Sequence, residues 1–352
     1  MTLPAPFAPE VLDLRRATET EYRELYAFAE AIRQERSPDD PPVTFGAFQA
    51  QFAAIPDFAE VWAWRVRDRE QLVAFATCVV LNLDHNRHVA DVSVEVLASY
   101  RRRGLGRALF TATVDAVEAC GRTLLLLNTN DRIPSGVRAL ERVGAESGLA
   151  QHVNQLVLAE LAPDLLDRWL ARGAERAGAY GLMVIDGLYP EEHFPALVDL
   201  MAENNTIPRG DLQLEDWKTD EEMLRTMNAQ HAASGRRRLL VAAQHRDTGR
   251  LDGYSELGWH PDRPAIVSQG GTVVRPETRG LGLGRLLKAE NLRLLLAENP
   301  GARFVRTTNA DTNAAMLSIN AELGFRPYQA TTMWQLPLDR AQTYLRAAVA
   351  GV

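Results

Sequence analysis

The same short phrase occurs twice in the 352-residue chain, as RRRGLGRAL over Arg101–Leu109 and RGLGLGRLL over Arg279–Leu287. An apolar strand precedes each copy and a leucine-rich helix follows it, so each phrase sets glycines and arginines at a helix start. A second landmark keeps step with the first. Val143, Gly144 and Ala145 correspond to Leu323, Gly324 and Phe325, and Asp131 corresponds to Asp311. The offsets, 178 residues for the phrase and 180 for the landmark, hold register too well for chance. The chain therefore reads as two tandem copies of one domain, each large enough to own a core. The expected division is a first copy over 1–163, a linker helix over 164–180 and a second copy over 181–352. Each copy is expected to be mixed α/β, a central and mostly antiparallel sheet flanked by helices.

The phrase has the chemistry of an anion cradle. Glycines let consecutive backbone N–H groups converge, and the helix start adds unsatisfied donors and a partial positive charge. Arg279, Gly280, Leu281, Gly282, Leu283, Gly284 and Arg285 form the candidate loop of the second copy. Arg101, Arg103, Gly104, Gly106 and Arg107 form that of the first. Neither is a Walker A loop, since the G-K-[ST] ending is missing, and Leu287 stands where a dinucleotide fingerprint needs its third glycine. A glycine-containing strand-to-helix turn without a ligand is the plain alternative.

Composition narrows the partners. A net charge of −7 argues against nucleic acid and anionic membranes. Met1 to Glu10 has no basic or apolar leader pattern, and the longest apolar stretch, Leu72 to Leu81, is too short to span a bilayer, so a cytoplasmic protein without a membrane partner is expected. Cys78 and Cys120 form no C-x-x-C pair and read as reduced thiols, and the seven histidines show no metal-ligand spacing. Lys218 and Lys288 are the only lysines.

Arg279, Gly282 and Gly284, like Arg101, Gly104 and Gly106, fit a [Q/R]-x-x-G-x-[G/A] pattern, and here the chain resembles the GNAT superfamily of acyl-CoA-dependent acyltransferases. The resemblance implies two tandem GNAT-like domains with acetyl-CoA as cofactor, its pyrophosphate on the loop and its pantetheine arm along Val273 and Val274. It also implies that a backbone N–H there polarises the thioester carbonyl. Asn309, Asn313 and the Gly324-Phe325 pair look like the family's N-x-x-A…G-F segment, in which asparagine contacts CoA. The arrangement is similar to mycothiol synthase-like tandem acetyltransferases of actinobacteria, which implies chemistry in the C-terminal copy. The first copy has Thr129, Ile133 and Gly144-Ala145 at the matching positions. One departure stands out: Asn320 occupies the place of the family's proton-donating tyrosine, and Leu140 does so in the first copy. Asparagine donates a hydrogen bond but no proton.

An amine acceptor is protonated at neutral pH and needs a base before it attacks a thioester. Glu256, on the strand before the loop strand, is the candidate carboxylate; an exposed strand glutamate is the alternative. Gln269 lies near the family's usual base position and cannot act as one. Asp91 and Glu95, in the first copy, read as solvated or paired. Trp217, Trp259 and Tyr254 fit either an acceptor pocket or a core, and Arg236–Arg238 reads as a solvated turn entering a strand. The expected function is transfer of an acetyl or short acyl group to a small-molecule amine by direct attack in a ternary complex. The alternatives are a non-catalytic acyl-CoA-binding protein and an O-acyltransferase.

Overall fold

Strands and helices alternate through the computed structural model, which describes residues 7–53 and 55–350; residues 1–6 of the opening segment lie outside the described residues. In chain order the first elements are β1 (Glu10–Val11), α1 (Glu19–Arg36), α2 (Phe45–Ala53), β2 (Ala59–Asp68), β3 (Gln71–Leu81), β4 (Val89–Val96), α3 (Leu105–Ala119), β5 (Leu124–Asn130), α4 (Pro134–Val143) and β6 (Glu146–Val157). They are followed by α5 (Leu165–Arg176), β7 (Tyr180–Asp186), α6 (Phe194–Met201), α7 (Glu221–Ser234), β8 (Arg237–His245), β9 (Leu251–His260) and β10 (Arg263–Val274). The last are α8 (Leu283–Glu298), β11 (Phe304–Ala310), α9 (Ala314–Leu323), β12 (Arg326–Pro337) and α10 (Leu338–Ala350). No described helix is long and apolar enough to cross a membrane.

Two compact units emerge, and they are not contiguous halves. One comprises Met1–Ala150, Arg209–Asp216 and Ala330–Val352; the other comprises Gln151–Pro208 and Trp217–Gln329. The first unit carries the strand order β1-β2-β3-β4-β5-β12, and the second carries β7-β8-β9-β10-β11-β6. The two orders are the same topology, each closed by a strand from the other half of the sequence. In the second unit β6 pairs antiparallel with β11 from Gln151↔Ala310 to Val157↔Phe304. In the first, β12 pairs antiparallel with β5 from Thr331↔Asn130 to Pro337↔Leu124. Divisions at 163 and 180 do not coincide with these units, because equivalent terminal strands of a repeat carry the same pattern and only pairing decides which sheet each one joins.

The helix α7 begins at Glu221, capped by Asp220, whose carboxylate accepts from the Met223 N–H at 2.7 Å. The preceding Arg209–Asp216 segment belongs to the first unit, where Glu215 binds the Asn86 N–H at 2.7 Å and the Gln213 carbonyl meets His88 at 2.9 Å.

In the second unit α5, α8 and α9 cover one face of the sheet through Trp169, Leu292, Leu295 and Leu323 against Leu156, Leu257, Val267 and Val305. On the other face α6 and α7 bury Phe194, Leu197 and Leu224 against Leu240, Ala242, Tyr254 and Val273. The first unit repeats this plan, with α1 and α2 on one face and α3 and α10 on the other. Cys78 is buried and Cys120 half-buried, both as free thiols, and burial pushes the Cys78 thiol up to about 12.

Candidate active site

Both glycine phrases fold into the same loop. In the second unit Gly280 and Gly282 have φ of 84° and 87°, the left-handed conformation that side chains resist, and Gly282 is the N-cap residue of α8. The first unit reproduces this with Arg102 at 62° and with Gly104, the N-cap residue of α3, at 88°. A non-glycine residue held at positive φ there is a strained equivalent of Gly280. Gly284 serves packing instead: a Cβ on it would lie 3.3 Å from Ile319 Cδ1, so it sets the approach of α8 to α9.

The motif arginines hold the loops rather than reaching outward. Arg279 Nε donates to the Val274 carbonyl at 3.2 Å, and Arg101 Nε donates to the Val96 carbonyl at 3.0 Å, which ties each loop to the end of its strand. Their remaining donors differ. In the first unit Glu35 takes both Arg101 Nη atoms, at 2.6 and 2.5 Å, whereas Arg279 has only a 3.4 Å contact with Thr206. Arg285 does not point a free fork at the loop, because Glu322 on α9 binds it bidentately and the guanidinium also lies over Trp169. Arg103 donates to the Ser99 carbonyl at 2.9 Å. Arg176 on α5 donates to the Gly280 carbonyl at 2.8 Å, bracing the second loop from below.

The strand leading into each loop parts from its neighbour. β10 and β11 run parallel but pair only from Ile266↔Phe304 to Ser268↔Arg306; beyond that, β11 continues with β6 and β10 with β9. Val273 and Val274 lie on the parted stretch of β10. The first unit parts likewise, β4 and β5 pairing only from Val89↔Leu124 to Asp91↔Leu126. In this loop-leading strand only the second unit adds a bulge. Gln269 opposes Leu257 and Thr272 opposes Ser255, so Gly270-Gly271 carry one residue too many, whereas β3 and β4 stay in register. A Cβ on Gly271 would lie closer to Tyr254 Oη than van der Waals contact allows, and one on Gly270 would lie 3.4 Å from Glu256 Oε1. Two glycines there keep the backbone of the opening bare, directly in front of Glu256.

Gln269 stabilises this bulge. It is buried, and its Nε2 donates to the Glu256 carbonyl at 2.7 Å and to Ser255 Oγ at 3.1 Å. On the other face of the strand pair Glu256 projects beside α6 and α7. Its Oε2 accepts from Tyr189 Oη at 2.6 Å and lies 3.6 Å from Arg238 Nε, while the Arg238 guanidinium stacks 4.0 Å over the Tyr189 ring. Glu256 is therefore a held, partly exposed carboxylate rather than a free surface one. Burial, then the Glu256 charge, raises the Tyr189 phenol, so it stays a donor at neutral pH. Burial, with Arg238 and Arg236 next, lowers His231 to about 4, so its imidazole is neutral there. The expected solvated turn at Arg236–Arg238 is only partly so: Arg237 pairs with Asp186 at 2.9 Å near the surface, but Arg238 is buried because Tyr189 and Glu256 enclose it.

The downstream asparagines form an internal network. Asn309 on β11 and Asn320 on α9 are both buried, and Asn320 Nδ2 donates to Asn309 Oδ1 at 2.8 Å. Asn154 Nδ2 reaches the same oxygen at 3.4 Å, and Asn320 Oδ1 is buried with no hydrogen-bond partner among the described residues. Asn313 is the N-cap residue of α9, its Oδ1 accepting from the Met316 N–H at 3.3 Å. At the matching place in the first unit Thr129 instead accepts from Trp334 Nε1 at 2.7 Å.

Of the aromatic candidates, Trp259 is core, packed among Leu257, Leu292 and Leu295, and Trp217 is 41% exposed. Tyr254 is buried with its hydroxyl on Asn204, and burial raises the phenol to about 12. In the first unit Asp91 is exposed and Glu95 lies 3.8 Å from Arg36. Sequence reasoning missed Gly270-Gly271, Tyr189 and Arg238. The paired glycines inside a strand were the available signal, since neither fills space nor favours extension; Tyr189 and Arg238 meet Glu256 only through the fold.

Residues 22–144 match the acetyltransferase (GNAT) family. Among solved structures the chain is similar to a tandem GNAT protein from the clavulanic acid biosynthesis pathway, at 24% identity over 94% of this chain and 98% of that one, with a TM-score of 0.74. It is similar also to a GCN5-related N-acetyltransferase from Sphaerobacter thermophilus, at 14% identity over 96% and 97% of the two chains and a TM-score of 0.67. Among curated proteins nothing matches.

Proposed function

We propose that this chain, a tandem GNAT fold with a GNAT-family domain at residues 22–144, transfers an acetyl or short acyl group from acyl-CoA to the amine of a small molecule, and that the second unit carries the chemistry. The observation behind this reading is the parting of β10 from β11 beside the bare Gly270-Gly271 bulge, continuous with the left-handed turn at Gly280 and Gly282. The bulge accommodates an extended chain whose thioester carbonyl needs a backbone donor. The loop and the start of α8 accommodate its pyrophosphate. Val273, Val274, Asn309 and Asn313 are proposed to line the arm.

Glu256 then takes a proton from the acceptor. Its Oε2 is fixed by Tyr189 and Arg238, which leaves Oε1 toward Gly270. The nitrogen forms its bond to the acyl carbon as the carbon–sulfur bond breaks; Glu256, having passed the first ammonium proton to solvent, takes the second from the nitrogen as the amide forms. Asn320 is proposed to orient the arm; its Nδ2 is engaged with Asn309, so the departing thiolate draws its proton from Glu256 or from water. No covalent enzyme intermediate is required.

The test is free-thiol release from acetyl-CoA with a panel of small amines and, in parallel, small alcohols. Turnover with amines supports the reading. Turnover with alcohols alone would reassign it to O-acylation, and confirmed acetyl-CoA binding without turnover on either panel would leave a binding protein. One observation favours a different placement within the same function: the family match covers the first half, whose loop has the same shape. The Glu35 clamp on Arg101 and the unbulged β4 weigh against that placement.

A further inference from the structure

Around Glu256 the positive charges outnumber the negative. Arg238 lies 3.6 Å from the carboxylate, and Arg236 lies beside β9, its Nη2 3.6 Å from where a Cβ on Gly258 would be. Gly258 is two residues from Glu256 and so faces the same side of the sheet, directly opposite Arg238. The missing side chain at Gly258 leaves the space that Arg236 enters. Arg237 is neutralised by Asp186, and His231 carries no charge at neutral pH. One carboxylate thus faces two guanidiniums, and that carboxylate already binds Tyr189. The Arg236 guanidinium has no ion-pair or hydrogen-bond partner among the described residues. Solvent reaches it, yet desolvation lowers it, opposed by Glu256.

We propose that the acceptor is an amine that also carries a carboxylate, with its amino group at Glu256 Oε1 and its carboxylate on Arg236, backed by Arg238. A planar carboxylate matches the guanidinium fork and supplies the negative charge the cluster lacks. A neutral amine would leave Arg236 facing the site without a counter-charge. The proposal rests on the acyl-transfer reading and narrows it to a substrate class.

The experiment compares standard amino acids with the amines formed from them by loss of the carboxylate, first as acceptors for acetyl-CoA and then as ligands titrated calorimetrically into the CoA-loaded protein. The best amino acid is expected to exceed its decarboxylated partner at least tenfold in kcat/KM and in affinity. Arg236→Gln is expected to reduce that ratio at least tenfold, mainly through KM, whereas the surface-paired Arg237→Gln leaves it unchanged. Equal use of the two acceptor types, or a ratio untouched by Arg236→Gln, would overturn the proposal while leaving acyl transfer in place. Arg236-dependent amino-acid binding without any acyl transfer would uphold the carboxylate site and sink the enzyme reading.

Discussion

Replacing Lys288 with methionine is expected to stabilise the second unit at pH 7, by roughly 1–4 kcal/mol on the scale of buried ion pairs that give way to well-packed apolar residues. Lys288 lies on α8 and is 1% exposed. Among the described residues its ammonium has no carboxylate or hydrogen-bond partner, only the Phe325 ring with its centroid 5.7 Å away. Burial lowers the group from 10.5 to about 7. Well below pH 7 the lysine binds a proton in both the folded and the unfolded chain, and the cost of burying the charge is present in full; most of it remains at pH 7, where the folded chain begins to release the proton. Between about 7 and 10.5 the unfolded chain still binds the proton and the folded chain does not. The unfolded state then holds more protons, so wild-type stability climbs with pH across that window. Urea unfolding at pH 6.5 and pH 9.5 checks this directly. The advantage of Lys288→Met should be wide at the lower pH and narrow at the higher; a gap that is constant, or that widens with pH, would contradict the assignment.

Glu256→Gln should lower kcat by about 10²–10³, within the range for loss of a general base, while the affinity for acetyl-CoA changes less than twofold. The affinity is expected to survive because Glu256 lies on the α6 and α7 side of β9, away from the left-handed loop that precedes α8. The amide keeps the shape and one acceptor for the Tyr189 hydroxyl but has no capacity to remove a proton at neutral pH. Some loss of stability accompanies it, since Arg238 is buried and loses its counter-charge. Thiol-release kinetics and urea unfolding of the same variant separate the two effects. A Glu256→Gln enzyme that retains full kcat would remove Glu256 from the chemistry and move the base to water or to a group on the acceptor.

The parts of this molecule that were legible in its sequence are those governed by local rules. The repeated phrase announced two equivalent loops because left-handed turns demand glycine, and Gly104, Gly280 and Gly282 adopt them. A helix is expected over 164–180, and α5 lies within that range at Leu165–Arg176. Strand exchange was not readable: β6 and β12 occupy equivalent places in the repeat, and nothing in their alternation selects a partner. The same limit hid the separate tasks of the arginines. Arg279 and Arg285 looked alike as phosphate donors, yet one ties its loop to Val274 and the other is held by Glu322, a residue on a different helix. Arg236–Arg238 looked like a surface turn because the sequence shows neither the glycine at 258 beside Arg236 nor the tyrosine at 189 under Arg238.

Whether the second unit holds the acyl-CoA is decided by calorimetric titration of acetyl-CoA into the wild-type protein and into Gly282→Val and Gly104→Val variants. A β-branched residue at the 87° φ of Gly282 or the 88° φ of Gly104 distorts the loop that carries it. Gly282→Val is expected to lose at least tenfold in affinity, and Gly104→Val to bind nearly as the wild type does. Full affinity in Gly282→Val with loss in Gly104→Val would contradict this and place the cofactor in the first unit.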